Sequence, residues 1–173
     1  MSSFALAMSS PIRMNFTQGL GGPNSGGHHG PQWYISAGMD LGASAGTDVF
    51  AAFDGHVTRF NPHHPARDTD KVFGAQIFMR SANDMMGGFY THVADVPASV
   101  RVGASIARGD RLGKIINRGR GSHLHLALVE IIGGAPSGRY VGVNLYRPFL
   151  DKANTTTTMN VTFNQDGTPP SVA

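Results

Sequence analysis

The sequence predicts a mainly β domain built on an antiparallel sheet with a single core, and three observations carry that prediction. Its 23 glycines and 10 prolines mark many turns, a composition that suits short strands joined by loops better than long helices. Several short segments are apolar or alternate apolar and polar residues, as buried and half-buried strands do. Gly, Asp and Asn signals separate those segments at strand-like spacing. At 173 residues the chain suits one domain, and one long enough to bury a core without disulfides or other staples.

Taken in order, residues 1–32 read as a polar Gly/Pro-rich region, broken by Pro11, Pro23 and Pro31. Its run GLGGPNSGGHHGP is a long flexible loop by composition. It is no phosphate loop, because no strand is expected before it and no GK[ST] closes it. Core-like segments begin at Trp33 with WYIS. AGTDVFAAF and HVTRFN flank Asp54-Gly55, a pair that signals a hairpin between two such runs. NPHHPARDTDK (61–71) is a proline-interrupted loop. FGAQIFMR and GGFYTHV follow as strands with Asn83-Asp84 near their turn, and VRVGASIARGDRLGKII holds two further strand-length pieces. INRGRGS is a loop, HLHLALVEII is the longest clean apolar run, and NLYRPFLDK suits a short edge helix. The domain is expected to span 33–150. Residues 151–173 form a tail low in core residues, in which MNVTF adds one strand or frays.

Only 14% of residues are charged, so the chain is no disordered polyelectrolyte. The net charge of +3 and pI near 9.6 are mildly basic. The cations are scattered and not interleaved with aromatics, which argues against a nucleic-acid partner and allows weak attraction to anionic polymers. No cysteine is present, which excludes disulfides and thiolate zinc sites. No segment approaches the roughly 18 apolar residues of a membrane span, and MSSFALAMSS lacks the marks of a secretory signal.

The chemistry lies in the histidines. In HLHLAL, residues two apart share a strand face, so His123 and His125 emerge together while Leu124 and Leu126 turn to the core. Two imidazoles on one face of a buried strand suit zinc binding or general acid–base work, although one satisfied core histidine beside one exposed histidine fits the pattern equally well. His56 reads as an edge residue, and His63 and His64 as loop residues.

Five further pieces sit in order around that pair. They are Gly38 with Asp40, Ala45-Gly46-Thr47 with Val49 and Ala51, Asp54-Gly55 with Val57, Tyr90-Thr91-His92, and Gly109-Asp110 with Gly113. Together with His123-Leu124-His125 they resemble the lysostaphin-type (LytM-like) zinc peptidases over about residues 33–130. The resemblance implies a lysostaphin/LytM-like fold, an antiparallel β-sheet core (of the duplicated-hybrid type) with a groove along one face. It implies zinc as cofactor, peptidoglycan peptide stems or cross-bridges as substrate, and amide hydrolysis as the reaction. Carried over by position, Asp40 and His125 become metal ligands and His92 and His123 the catalytic pair. Tyr90 becomes a candidate for contacting substrate. Apart from the resemblance, Arg118 and Arg120, just before His123, are placed either to reach a substrate carboxylate or to form a solvated loop, and Arg120 is taken as the substrate candidate.

One position departs from the pattern. The first family histidine falls at Ser36, and a serine hydroxyl is a poor zinc ligand. Three explanations stand side by side: His28 or His29 folds back from the glycine-rich loop to complete the site; His92 or His123 supplies the third ligand, or zinc is held weakly; or the site is inactive. An inactive module would bind cell-wall peptide, regulate a partner such as an amidase, or serve as a structural part of a phage-tail-like assembly. The family resemblance points to an extracellular, periplasmic or wall-delivered location, reached without a visible signal peptide.

Overall fold

The computed structural model describes residues 2–18, 21–154 and 157–173. Its strands are β1 (Phe4–Met8), β2 (Gly38–Gly42), β3 (Asp48–Phe50), β4 (Gly55–Asn61), β5 (Ala75–Arg80), β6 (Met86–Ala94), β7 (Ser105–Ile106), β8 (Arg111–Ile115), β9 (His123–Ile132), β10 (Arg139–Gly142), β11 (Met159–Phe163) and β12 (Ser171–Val172). Two short helices, α1 (Trp33–Ser36) and α2 (Tyr146–Asp151), complete the framework. The predicted mainly β, antiparallel architecture holds. No helix among the described residues is long and apolar enough to cross a membrane.

The main sheet runs β10-β9-β6-β5-β4-β7, with β2 also paired to β9 and β8 bridging β6 to β3. β9 is its spine, and the reason is legible in its residues. Leu124, Leu126 and Leu128 point into the main core with Met39, Leu41, Phe53 and Tyr90. The intervening Ala127, Val129 and Ile131 pack on the opposite face with Phe78, Phe89 and Ala37, under Trp33, Tyr34 and Tyr140. A strand buried on both faces needs a continuous apolar run rather than an alternating one. HLHLALVEII is such a run, broken only where the histidines stand and at Glu130.

WYIS, read as a short core-like segment, folds as the one-turn helix α1 laid across the sheet. One feature departs from the sequence expectation. Asp54-Gly55 makes no hairpin: β3 pairs with β8, and β4 pairs with β5 and β7. Those two residues have other uses. Asp54 accepts the Arg108 backbone N–H, and a Cβ at Gly55 would collide with the Arg80 carbonyl oxygen, so glycine serves close strand approach there.

The terminal segments are also more ordered than their composition suggests. β1 lies within the region read as a Gly/Pro-rich loop and pairs with β11 in register Phe4↔Phe163 to Met8↔Met159, while β12 adds to the far edge. MNVTF is thus a strand, and Met8, Met159, Val161 and Phe163 are buried in the main core. Strand pairing between the two chain ends is a tertiary property that neither segment announces alone.

Candidate metal centre

Asp40 and His125 face one another across the β2/β9 ladder, with register partners Asp40↔His125 and Gly42↔His123. Directly opposite residues of an antiparallel pair point to the same face, so the carboxylate and both imidazoles rise from one side of the sheet. Gly38, two residues before Asp40, has a spatial reason. A Cβ there would run into His125 Cε1 and sit 2.8 Å from its Nε2, so only glycine leaves room for the ring.

His92 reaches the same face by a different device. Along β6, residues 90 and 93 pair with residues 77 and 75 of β5, so one extra residue is inserted on β6. His92 adopts φ 65° within this bulge, a left-handed conformation uncommon outside glycine. Bulges re-aim side chains, and this one turns His92 away from the core face occupied by Tyr90. Strict alternation would have put both on the same side.

His28 arrives from outside the sheet. The loop of residues 21–31 folds back over the groove and buries its ring to 6% side-chain exposure, while His29 stays exposed. Three backbone hydrogen bonds shape that loop: the turn bonds from Ser25 N–H to the Gly22 carbonyl and from His28 N–H to the Ser25 carbonyl, and a tie from Asn24 N–H to the Ser36 carbonyl of α1.

The donor atoms converge. His28 Nε2 lies 3.0 Å from Asp40 Oδ1, and His125 Nδ1 lies 3.4 Å from the same oxygen. One ligand atom each from His28, Asp40 and His125 falls within a 4.8 Å cluster. Ligand atoms bound tetrahedrally at about 2.0–2.1 Å from zinc stand ~3.4 Å apart, so this spacing fits the ion. His123 Nε2 also approaches Asp40 Oδ1 at 3.4 Å, but His123 is not one of the three clustered residues.

Four backbone carbonyls set the four tautomers. His28 Nδ1 donates to the Gly22 carbonyl at 2.9 Å and His125 Nε2 to the Tyr34 carbonyl at 2.7 Å. His92 Nδ1 donates to the Phe73 carbonyl and His123 Nδ1 to the Gly121 carbonyl, each at 2.6 Å. A carbonyl only accepts, so each bonded nitrogen carries the proton and leaves the other ring nitrogen available. That outer arrangement is what metal-ligating histidines require. Available imidazole nitrogens directed at a buried carboxylate need a cation between them, and a metal ion or a proton supplies it.

The electrostatics agree with that reading. Burial works to raise the Asp40 pKa, but hydrogen bonding to His125 and His28 and the nearby imidazoles hold it well below the ordinary carboxylate range. For His28, burial works to lower the pKa. The hydrogen bonds to Asp40 and Gly22 and the Asp40 charge outweigh it, leaving the pKa above 6.5. His92 goes the other way: burial drives its pKa down to about 3 against the opposing Phe73 hydrogen bond, so its ring is neutral at ordinary pH.

Around these groups is a cleft of about 370 Å³ lined also by Ile35, Lys71 and Arg118. Ser36 does not line it; that residue faces a separate depression with Trp33, Arg139 and Tyr140. Tyr90, expected to meet substrate, is fully buried on the opposite face, where its hydroxyl accepts the Ala52 N–H at 3.0 Å. Arg120 is exposed and lies off the cleft wall, whereas Arg118, two residues earlier, is on it. Lys71 carried no signal in the sequence, since its place on the wall depends on how the polar loop folds.

The model of Peptidase family M23 matches residues 34–138 of the chain. This chain belongs to peptidase family M23. The matched stretch holds Asp40, His92, His123 and His125 but begins after His28. No curated protein sequence is significantly similar to the chain. Among solved structures, the catalytic domain of the prophage-encoded M23 protein EnpA from Enterococcus faecalis, solved as a mutant, is 20% identical with a TM-score of 0.51, covering 80% of this chain and 94% of that one. Lysostaphin from Staphylococcus simulans is 19% identical with a TM-score of 0.51, covering 86% of this chain and 57% of its own. Csd3 from Helicobacter pylori is 18% identical, also at 0.51, covering 86% and 40%. The chain spans 45% of lysostaphin as solved in solution. At these identities the likeness establishes the M23 fold.

Proposed function

We propose that this M23 chain is a zinc-dependent endopeptidase module acting on peptidoglycan peptides, with His28, Asp40 and His125 as the metal ligands. The observation that carries the reading is the convergence of those three side chains, each histidine with its second ring nitrogen bonded to a backbone carbonyl. On this reading the metal set is complete without Ser36, and the case for an inactive or merely regulatory module, which rested on a missing ligand, loses its ground. Peptidoglycan stems or cross-bridges are the substrate class that the family relationship suggests.

His28, Asp40 and His125 would hold the zinc, which would supply Lewis-acid activation of a scissile carbonyl and of an attacking water. The chain's own residues do the rest. His92 and His123 flank the cleft with ring centroids 4.6 Å apart. Each has Nδ1 committed to a carbonyl, so each can accept a proton only at Nε2. One of these nitrogens takes the proton of the attacking water and returns it to the departing amine; the other, when protonated, stabilises the developing oxyanion. The cleft wall of Ile35, Lys71 and Arg118 holds the peptide across them.

The test is hydrolysis of purified peptidoglycan and of stem and cross-bridge peptides, followed by release of new amino groups. Zinc-loaded protein is expected to cut, chelation to stop the reaction, and His125→Ala to abolish it. Undiminished cleavage in the chelated protein, or no cleavage of any wall peptide by protein holding one zinc, would overturn the proposal.

A further inference from the structure

The segment 68–74 touches both parts of the site that the sheet does not hold in regular register. Lys71 Nζ donates to the Gly27 carbonyl at 2.8 Å, on the residue immediately before His28. Two residues on, the Phe73 carbonyl accepts the Nδ1–H of His92 at 2.6 Å. A Cβ at Gly74 would come within 3.0 Å of His92 Cα and 2.9 Å of Val93 N, so the segment runs directly against the bulge that carries His92.

The segment is itself tied down. Asp68, with its side chain 5% exposed, accepts three hydrogen bonds at Oδ2. They come from His63 Nδ1 at 2.6 Å, from the His64 N–H at 3.1 Å and from the Gly74 N–H at 2.9 Å. The His63 ring packs edge-on against Phe73 with centroids 4.8 Å apart, and the Arg118 guanidinium stands 5.0 Å over the same Phe73 ring. Charge-assisted bonds to a buried carboxylate are the stronger kind. Here three of them close a knot at the base of the loop.

We propose that residues 63–74 form a strap that sets His28 and His92 in place together, with Lys71 and Asp68 as positioning residues. The proposal rests on the preceding reading of His28 as a ligand and of His92 as one of the two cleft histidines that act on the attacking water and the oxyanion. Its logic is mechanical. Loop-borne ligands lack the ladder that fixes a strand residue, and the Lys71 bond supplies a fixed point one residue from His28. The Phe73 carbonyl does the same for the tautomer and aim of His92, and Asp68 keeps both points at one spacing.

The full chain, metal-free, is compared by hydrogen exchange over residues 21–31 and by the NMR signal of the His92 ring, and then titrated with zinc. Lys71→Met keeps the aliphatic stem and removes the donor. It is expected to speed exchange over 21–31 about tenfold and to weaken zinc about tenfold, at the low end for groups that orient a ligand, while the His92 signal stays put. Lys71→Arg restores a donor and is expected to recover both. Asp68→Asn is expected to loosen 21–31 and shift the His92 signal as well; should it fail to fold, the Lys71 pair decides. Unchanged exchange over 21–31 in Lys71→Met overturns the strap, as does a folded Asp68→Asn with an unmoved His92 signal. If the parent chain takes up no zinc yet Lys71→Met loosens 21–31, the strap stands and the metal reading is what has failed.

Discussion

Asp40 and His28 stand 3.0 Å apart in the same cleft, yet they are held in opposite ways. Asp40, with His123 and His125, is fixed by the β2/β9 ladder, where register alone decides which side chains meet. His28 comes from a glycine-rich loop whose position depends on turn hydrogen bonds, on Lys71 and on its own bond to Gly22. His92 stands between the two, on a strand but aimed by a bulge. The strand-borne groups are therefore set once the core forms. The loop-borne histidine can be displaced while the core remains intact, so if His28 is a ligand, as proposed, changes to the two parts should separate in their effects on stability and on metal.

The sharpest strand-side change is Gly38→Ala. Its methyl would meet the His125 ring, and overpacking of this kind costs typically about 1–3 kcal/mol. Thermal melting should fall accordingly, and zinc binding should be lost because the ring moves off Asp40. A Gly38→Ala protein with unaltered zinc affinity would show that the ring has another place to go.

The pH dependence separates metal-free from zinc-loaded protein. The His28 pKa is raised above 6.5 in the folded state, so the folded form binds the proton better than the unfolded chain. That contribution is fully present below pH 6.5 and is lost as pH rises through the folded-state value. On the proposed reading zinc would compete with the same proton at Nε2, so the shift in melting temperature produced by zinc should grow from about pH 5.5 to about pH 8. The His28→Gln protein should lose the metal-free slope. A zinc-induced shift equal at both pH values would contradict the competition.

Tyr90 offers the smaller test. Tyr90→Phe removes the acceptor for the buried Ala52 N–H, a loss of about 1–3 kcal/mol where a donor is left unsatisfied. Melting should register it, and the KM for any wall peptide should not move. A raised KM at unchanged stability would return Tyr90 to the substrate.

These contrasts also explain what the sequence revealed. The spine strand was legible because both faces of β9 are buried and its histidines fall two apart. Asp40, His92 and His123 were legible through the family pattern. His28 was legible only as one of several candidates, beside His29, His92 and His123, because it lies twelve positions before Asp40 and loop closure leaves no periodicity. Tyr90 was a substrate candidate by its place beside His92 in Tyr90-Thr91-His92, and the bulge separates the two, leaving Tyr90 buried on the core face. Lys71 and Asp68 read as solvated loop residues, since their partners lie at Gly27 and in the turn between His63 and Gly74.

The most direct measurement is zinc stoichiometry by elemental analysis on protein equilibrated with micromolar zinc and desalted. The parent chain is compared with His28→Ala, His29→Ala and Ser36→His. One zinc per chain is expected in the parent and in His29→Ala, none in His28→Ala, and no gain in Ser36→His, since residue 36 lines a separate depression. One zinc retained by His28→Ala, or zinc bound only by Ser36→His, would contradict the assignment of His28 as the third ligand.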